Sequence, residues 1–423
     1  MEFSMYLTSL PLRVEREIPH DTKARSHRLM VQAGFIQQTS AGIFSFSTLL
    51  WSVIRRIEKI IREELNAIGF QELMMPALQP TSLWRESGRL EHFQREHTML
   101  SLRDRKDQEF CMGSTYEEVL IDLCRHFVSS YRQLPFRLYQ ISEKFRDDLR
   151  PRFGLVRARQ FRMKDGYSFD LNEGGMHVAY QETREAYSKI FERCGISFVV
   201  FSDLRGSIGS TFAEKYMART TEGEESFIHC THCNFTANYE GSPYCPQCHA
   251  ATEPLTALEL GHIFELGPHY PEKMGALIAG NNGHLSPIWM GDFGIGVSRI
   301  PVAIIEQYMD DCGMNWPFHL APIQIAVVPV MPTNENQVSA ASAIARTIKT
   351  AFGFETYVDN RTQSFGSRLK DLDFVGSQLQ IVVGDRLDNG EVDVQQRNGL
   401  NKTTVPIANI VATIENLTKG VHQ

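Results

Sequence analysis

A cluster of arginines constrains the fold of this chain more than any other feature of its sequence. Six arginines occur within residues 146–162, where Pro151 and Gly154 interrupt them. Apolar patterns on both sides predict two strands over residues 136–170 that are joined by a basic loop. Guanidinium groups match polyphosphate oxygens bidentately, and Phe161 beyond the loop can stack on a base. The stretch therefore predicts a nucleotide site, although a solvated loop on a surface hairpin is an alternative.

A glycine-rich segment lies later in the chain, at residues 291–299. It reads Gly-Asp-Phe-Gly-Ile-Gly-Val-Ser-Arg, and an apolar pattern after it predicts a helix over residues 300–307. Glycines allow a ligand to approach the backbone closely, and Arg299 would lie near the positive end of the helix dipole. Taken alone, the same pattern is also typical of a tight strand-to-helix turn.

A long amphipathic pattern predicts a helix over residues 49–68. Apolar residues recur there at the i, i+3, i+4, i+7 spacing, and Gly69 follows where a helix commonly ends. A strand is predicted over residues 70–78, and Pro76 within it favours a place at a sheet edge or an interface.

Four cysteines form two Cys-x-x-Cys pairs that are separated by eleven residues. They are Cys230, Cys233, Cys245 and Cys248. Thiolates at this spacing close a tetrahedral site, and a site made of four thiolates is structural rather than catalytic. We therefore predict bound Zn²⁺; a set of reduced thiols, or a disulfide in an oxidising compartment, is the alternative.

Composition limits the class of protein but does not identify a partner. The 423 residues are enough for two or three domains, and a net charge of −7 gives no global basic field. An RNA partner would have to meet local patches of Lys and Arg. No apolar run reaches the ~20 residues of a membrane span. Residues 1–20 show no signal pattern, so we expect a cytoplasmic protein with no membrane partner.

Strand and helix patterns alternate after residues 315–317. Strands are predicted over residues 324–330, 355–358, 379–383 and 391–395, and helices over 335–351, around 369–374 and from 407 onward. This alternation favours a small α/β domain with a largely parallel sheet.

Taken in order, the helix with its glycine and proline, the arginine hairpin and the glycine-rich strand resemble the three signature motifs of class II aminoacyl-tRNA synthetases. In detail the chain resembles the prolyl enzymes of bacterial type from about residue 5 to about residue 415. The matching segments are residues 84–89 (Trp-Arg-Glu-Ser-Gly-Arg), 145–154 (Phe-Arg-Asp-Asp-Leu-Arg-Pro-Arg-Phe-Gly), 163–165 (Met-Lys-Asp), 261–264 (Gly-His-Ile-Phe) and 294–299 (Gly-Ile-Gly-Val-Ser-Arg).

The resemblance implies an α+β catalytic domain built on an antiparallel sheet with helices, in two parts at residues 1–225 and 253–318. Residues 226–252 would form a small zinc-ribbon-like insert between the two parts. Residues 319–423 would form a mixed α/β anticodon-binding domain. The class commonly dimerises through its first motif, and residues 49–80 are apolar enough for an isologous contact, so a homodimer is expected.

The resemblance also assigns roles in an ATP site. Arg146 would hold the α-phosphate, Asp148 would contact the adenine edge, and Arg157 would bind the γ-phosphate. Phe161 would stack on adenine, while Arg299 would lie on the other side of the base and also meet the γ-phosphate. Mg²⁺ would enter with the ATP phosphates.

For the amino acid and the tRNA, the resemblance implies two further sets of residues. Thr115 and Glu117 would receive proline, with Glu117 pairing with its ammonium group. The ring pocket would be lined by Met163, Tyr167, His262, Phe264 and Asp292. Contacts to the tRNA anticodon would come from Arg361, Arg368 and Lys370.

Several positions depart from the family pattern. Ser114 stands where the family has Pro, Asp292 where it has Cys, and Gln160 where it has Glu; Glu214 and Lys215 also differ from the usual residues. The large editing insertion is expected to be absent, because Gly206 leads through Glu222 almost directly to the cysteines.

Asp292 leaves two interpretations open. Either its carboxylate turns outward or pairs with a cation such as Lys215, and proline remains the substrate, or the pocket takes a more polar amino acid. Three functions therefore compete: a prolyl-tRNA synthetase, a paralogue that activates another amino acid for specialised metabolism or resistance, and a non-catalytic tRNA-binding homologue. Retention of Arg146, Arg157, Phe161 and Arg299 disfavours the last.

Overall fold

The hairpin expected over residues 136–170 is present in the computed structural model, with two long strands on either side of the arginine loop. The structure describes residues 5–10, 14–15, 24–202, 212–220, 223, 225–233, 235–238, 243–281 and 283–419. Gly206 and Glu222, which bound the shortened connection, lie outside the described residues.

The helices of the described residues run as follows. They are α1 Arg25–Gln32, α2 Thr48–Ala67, α3 Thr81–Ser87, α4 Leu90–Arg95, α5 Glu117–Phe127, α6 Glu173–Arg193, α7 His269–Lys273, α8 Ile300–Tyr308, α9 Glu335–Phe352, α10 Phe365–Val375 and α11 Ile410–Thr418. None of these helices is both long enough and apolar enough to cross a membrane.

The strands of the first half of the chain are short except for the central hairpin. They are β1 Ile36–Ser40, β2 Ile43–Phe46, β3 Phe70–Glu72, β4 Leu78–Pro80, β5 Ser101–Arg103, β6 Glu109–Met112, β7 Phe136–Phe145, β8 Gln160–Asp170, β9 Phe198–Ser202 and β10 Phe212–Arg219. The later strands are β11 Glu225–His229, β12 Thr236–Asn238, β13 Glu253–Gly267, β14 Leu277–Ala279, β15 Leu285–Pro287, β16 Trp289–Ile295, β17 Ile325–Pro329, β18 Thr356–Val358, β19 Leu379–Val383, β20 Glu391–Gln396 and β21 Thr403–Pro406.

One compact unit comprises Gln38–Phe44 and Ile57–Ala303. Its centre is a nine-stranded sheet in the order β12-β11-β13-β16-β8-β7-β3, in which β10 also pairs with β13 and with β9. All pairs are antiparallel except β3 with β7. The antiparallel catalytic sheet expected from the sequence is therefore present.

Helix α6 covers one face of this sheet against β13 and β16. Its first turn is capped because the Asn172 side chain accepts a hydrogen bond from the Gly175 N–H. A Cβ atom at Gly261 of β13 would lie 2.9 Å from the Gly294 carbonyl oxygen and 3.3 Å from the Tyr187 ring. Since side chains essentially never come that close to a backbone carbonyl, β13 needs glycine where it passes between β16 and α6.

The second unit comprises Ser45–Arg56, Ile304–Gln423 and the described residues of Met1–Gln37. It holds a five-stranded sheet in the order β18-β17-β19-β20-β21, with a core that includes Ile325, Ile344 and Ile381. Helix α9 packs against β17 and β18.

Two expectations about the strands are corrected by the structure. The largely parallel sheet predicted for the C-terminal domain is mixed, because only the pairs of β17 are parallel and β19-β20-β21 is antiparallel. A short 3₁₀ turn at Asp385–Asn389, rather than a helix, connects β19 to β20, and such a turn permits only an antiparallel partner. The single strand predicted over residues 70–78 is two short strands, β3 and β4, which end and begin on either side of Pro76.

Candidate active site

Three neighbouring strands place the predicted pocket residues on one face of the nine-stranded sheet. β16 lies between β8 and β13, with Asp292 opposite Tyr167 on one side and Phe264 on the other. Two residues along the strand, Gly294 lies opposite His262. Because side chains alternate between the faces of a strand, these positions all face the same side of the sheet.

A cavity of about 720 Å³ lies against the arginine loop. Its lining residues are Glu96, Thr98, Arg146, Asp147, Asp148, Leu149, Arg150, Arg152, Val156, Arg157, Ala158, Phe161 and Arg299. The cations of the hairpin and the arginine that follows β16 thus reach one cavity, although residues 146 and 299 are far apart in the chain.

Two residues assigned to ATP contact each other inside this larger cavity. The Arg157 Nε–H donates to the Asp148 carboxylate, and the Arg150 backbone N–H donates to Asp148 Oδ1 at 2.8 Å. Burial alone would raise the pKa of Asp148, but the Arg157 hydrogen bond holds that pKa below its ordinary value. A phosphate that binds Arg157 must therefore share this guanidinium with Asp148 or displace the carboxylate.

Arg146 and Arg299 are held in different ways. The Arg146 guanidinium carbon lies 5.1 Å from the centroid of the Phe161 ring, and within the described residues this guanidinium has no ion-pair partner. Arg299 donates to two backbone carbonyl oxygens, from Nε to Val156 at 3.0 Å and from Nη1 to Glu259 at 2.9 Å. In this structure the guanidinium next to the Phe161 ring is therefore that of Arg146. The resemblance implies a different arrangement, in which adenine lies between Phe161 and Arg299.

A second cavity, of about 370 Å³, shares residues with the first. Its lining residues are Arg89, His92, Phe93, Glu96, Thr98, Ser114, Thr115, Glu117, Arg146, Met163, Asp165, Glu259, His262, Phe264, Asp292 and Gly294. Glu96, Thr98 and Arg146 line both cavities, so the two spaces adjoin at these three residues. The structure brings Thr115, Glu117, Met163, His262, Phe264 and Asp292 together in the smaller cavity.

Arg89 is a site residue to which the sequence assigned no role. It is 6% exposed, and its Nη1 lies 3.1 Å from Glu117 Oε2 and 3.2 Å from Glu118 Oε1. Its guanidinium carbon is also 5.3 Å from the Trp84 ring and 5.1 Å from the Phe93 ring. Arg89 belongs to the segment of residues 84–89 that resembles the family. Nothing in the sequence, however, showed that its guanidinium contacts two buried carboxylates.

The pKa values of the two paired carboxyl groups are shifted in opposite directions. Burial would raise the pKa of Glu117, but the charge of Arg89 and the Thr115 hydroxyl, which donates to Glu117, hold it below its ordinary value. Burial raises the pKa of Glu118 and prevails over Arg89, even with the Ser87 hydroxyl donating to Oε1 at 2.8 Å. Glu117 Oε1 accepts no hydrogen bond within the described residues. Glu117 therefore lies on the wall of the smaller cavity with one buried oxygen that no donor reaches among the described residues.

Tyr167 faces the same side of the sheet as Asp292, and its hydroxyl lies 3.5 Å from Thr115 Oγ1. The side chain is fully buried, its hydroxyl accepts from the Tyr116 N–H at 3.2 Å and donates to Asp165 Oδ2 at 3.2 Å. Its hydroxyl holds the backbone at Tyr116, next to Thr115, and its contact with the proline ring stays a prediction.

The positions that depart from the family pattern lie in two places. Glu214 is turned toward α6, where it accepts from the Tyr180 hydroxyl at 2.9 Å and from Arg184 Nε at 2.8 Å. Lys215 Nζ lies 3.6 Å from Glu259 Oε2, so the expected pairing of Lys215 with Asp292 is wrong. Asp292 does not turn outward either, since it is 8% exposed and lines the smaller cavity.

The three residues expected to contact tRNA differ in exposure. Arg368 is fully buried and donates to the backbone carbonyl oxygens of Asp359 and Pro329 at 2.8 Å each. Arg361 is 7% exposed and forms ion pairs with Asp359 at 2.8 Å and with Asp371 at 2.9 Å. The expectation that Arg361 and Arg368 contact the anticodon is therefore corrected, because their guanidinium groups hold the domain together. Lys370 is exposed.

The four clustered cysteines come together at the end of β11 and in the segment before β13. Their sulfur atoms all lie within 4.8 Å of one another, with Cys230 3.4 Å from Cys248 and Cys233 3.5 Å from Cys245. A tetrahedral site with Zn–S bonds of about 2.3 Å needs sulfur atoms about 3.8 Å apart. The arrangement fits a metal ion.

Comparison with known proteins defines first the class and then the family. Residues 97–308 match the model of the tRNA synthetase class II core domain (G, H, P, S and T), and residues 324–417 match the model of the anticodon binding domain. A proline–tRNA ligase from Hyphomonas neptunium is 35% identical over 441 residues, which cover 97% of this chain and 100% of the relative. The chain therefore belongs to the proline–tRNA ligase family of class II synthetases.

Other relatives differ in length or are more distant. A proline–tRNA ligase from Syntrophus aciditrophicus is 30% identical over 574 aligned residues, which cover 98% of each protein. That alignment is longer than the whole chain, so this relative carries a segment with no counterpart here. The solved prolyl-tRNA synthetase of Giardia lamblia, in complex with prolyl-adenylate, has a TM-score of 0.77 at 18% identity and covers 93% of this chain and 78% of its own. This likeness shows the fold.

Proposed function

We propose that this chain activates proline with ATP to form prolyl-adenylate and then transfers the prolyl group to tRNA(Pro). The observation that carries the proposal is the meeting of two cavities at Arg146. One cavity is lined by the arginine set that suits a polyphosphate, and the other is lined by the ionised Glu117.

The reaction needs no nucleophile from the protein. A carboxylate oxygen of proline attacks the α-phosphorus of ATP, the new O–P bond forms, and pyrophosphate leaves with the electron pair of the broken P–O bond. Catalysis is then a matter of positioning the two substrates and offsetting negative charge. Arg146 is the residue proposed to do both, because its guanidinium reaches both cavities.

The ammonium group of proline is proposed to bind Glu117. Arg89 and Thr115 keep this carboxylate ionised, and its Oε1 has no hydrogen-bond donor within the described residues. Met163 and Phe264 line the same cavity and would contact the methylene groups of the ring. A buried acceptor without a donor is costly, so an ammonium group at Glu117 would stabilise the complex.

Mg²⁺ is proposed to enter on the ATP phosphates. Carboxylate oxygens are ligands that this ion prefers, and Glu96 and Asp147 offer them on the wall of the larger cavity. The ion would supply positive charge to the leaving pyrophosphate. The arginines of the loop would align the phosphates from the other side of the polyphosphate chain.

The tRNA is proposed to reach residues 319–423 through cations other than the two buried arginines. Lys370 remains available, and Arg386 and Lys402 line a cavity of about 630 Å³ in the same domain. Unstacked anticodon bases are read by stacking and by hydrogen bonds to their edges, which a cavity lined by polar side chains can provide.

The expected homodimer is also retained as a proposal, with the 91% exposed Met74 near β3 as a candidate contact.

The test of the proposed function is ATP–pyrophosphate exchange with each of the twenty amino acids, followed by aminoacylation of purified tRNA. Exchange that depends on proline, and prolyl-tRNA as the product, is the expected result. Preference for another amino acid would make the chain a paralogue of altered specificity. Tight tRNA binding without any exchange would identify a non-catalytic homologue and contradict the proposal.

The cysteine cluster is proposed to hold structural Zn²⁺, and metal analysis can test this. We expect purified protein to contain about one zinc per chain, and Cys245→Ser to lose most of it, because three thiolates do not complete a closed tetrahedral site. Cys312→Ser is the matched control, since Cys312 is an exposed cysteine outside the cluster. Zinc retained by Cys245→Ser, or absent from wild-type protein refolded with zinc, would contradict the assignment.

A further inference from the structure

Asp292 is a buried carboxyl group on the wall of the smaller cavity. It lies on the central strand β16, between Tyr167 of β8 and Phe264 of β13, and is 8% exposed. The cavity it lines is the one that also contains Glu117. A carboxyl group in such a place requires a partner, because burial of an unpaired polar group costs free energy.

The protein itself does not supply that partner among the described residues. Lys215 pairs with Glu259, and the Lys164 ammonium donates to the Phe293 carbonyl oxygen at 2.9 Å and to the Tyr187 hydroxyl. Arg89 and Lys164 act on Asp292 only through their charge, without a hydrogen bond. A donor to Asp292 would therefore come from the contents of the cavity, either water or a bound ligand.

The rest of the cavity wall limits what the occupant can be. Glu117 is the carboxylate proposed for the ammonium group, while Met163, His262 and Phe264 offer flat or flexible surfaces that suit a small ring. Among the other acidic residues of the wall, Asp165 pairs with Lys144 and Glu259 pairs with Lys215, whereas Asp292 has no such ion pair among the described residues. Its carboxyl group is suited to a substituent elsewhere on the ring.

We infer that this site accepts, besides proline, cyclic imino acids whose ring carries a hydrogen-bond donor, a hydroxyl or an amino group, and prefers them to rings that carry a substituent of similar size without a donor. The inference rests on the proposed function, because it concerns the specificity of the same activation site. A site built to hydrogen-bond a substrate discriminates strongly against an analogue that leaves its polar group unpaired.

The protonation state of Asp292 determines whether a hydroxyl or an amino group on the ring is bound better. Burial raises the pKa of Asp292 well above its ordinary value, and the nearby charges of Glu117 and Asp165 raise it further. A protonated carboxyl group can both donate to and accept from a hydroxyl group, whereas an ionised one favours an ammonium group. A raised pKa thus favours recognition of a hydroxyl group, and the experiment below includes both kinds of ring.

The experiment is ATP–pyrophosphate exchange with proline, the cis and trans isomers of 3- and 4-hydroxyproline, 4-aminoproline and the 4-fluoroprolines. The fluorinated rings are matched controls, since they carry a small polar substituent without a donor. We expect at least one hydroxylated or amino-substituted ring to exceed its fluorinated counterpart in kcat/KM by about 10- to 100-fold. Equal values for both classes in the wild-type protein would overturn the inference.

Two substitutions assign the effect to Asp292. Asp292→Ala should reduce the ratio of kcat/KM for hydroxylated over fluorinated substrate toward one. Asp292→Asn, which has nearly the same shape, should retain recognition of the hydroxyl group and lose that of the amino group. A ratio that survives Asp292→Ala also overturns the inference. If the protein activates proline but the ratio of hydroxylated to fluorinated substrate is near one, this inference alone is overturned. If no substrate supports exchange, the proposed function and the inference are both overturned.

Discussion

Replacing Arg146 with alanine is expected to lower kcat for ATP–pyrophosphate exchange by about 100- to 1000-fold, the cost of removing one preorganised donor from a developing negative charge. The guanidinium lines both cavities, so the α-phosphate and the attacking carboxylate would lose the same cation. Exchange kinetics at saturating ATP and proline would measure the loss.

The stability of the Arg146→Ala protein should change little. Within the described residues this guanidinium has no ion-pair partner, and only its contact with Phe161 would be lost. Arg105→Ala provides a matched control, because Arg105 is exposed in the turn between β5 and β6. A decrease in kcat of less than about threefold for Arg146→Ala would contradict the role assigned to this residue.

Replacing Arg89 with methionine is expected to destabilise the protein by about 3–5 kcal/mol at neutral pH, because it leaves two buried carboxylates without their cation. Glu117 and Glu118 are 1% and 0% exposed, so water cannot take the place of Arg89. Urea unfolding of both proteins under the same conditions would measure the difference in the free energy of unfolding.

The pH dependence of this effect has a definite sign. Without Arg89, the folded-state pKa of both carboxyl groups lies above the unfolded value, so the folded protein binds more protons and loses stability as the pH rises. The destabilisation should therefore shrink as the pH falls from 8 toward 5. Glu117→Gln and Glu118→Gln added to Arg89→Met should recover part of the stability at neutral pH. A variant within 1 kcal/mol of the wild type at pH 7 would show that the pair contributes little.

Features that depend on a local pattern in the sequence were predicted well. The helix expected over residues 49–68 is found at Thr48–Ala67, and the strand expected over residues 379–383 is found at Leu379–Val383. Both carry a periodic apolar pattern that local geometry decides. The spacing of the cysteines likewise predicted a cluster whose four sulfur atoms the structure brings together.

The failures concern side chains whose partners are distant in the chain. Arginine side chains usually lie at the surface. Arg368 is nevertheless buried, because the carbonyl groups of Pro329 and Asp359 accept its hydrogen bonds. Lys215 pairs with Glu259 instead of Asp292, since the register of β10 on β13 decides which carboxylate it can reach. A single sequence shows neither the register in which two strands pair nor how deeply a side chain is buried.

The shared wall of the two cavities has a consequence for how the substrates bind. If one guanidinium serves two anions, the occupant of either cavity alters the affinity of the other, and thermodynamic linkage makes this factor the same in both directions. Titrating the chain with a non-reactive ATP analogue, with and without proline, should therefore give the same ratio of dissociation constants as the reverse titration. Under the proposed function, Arg146 would be the residue through which each bound reactant changes the affinity for the other.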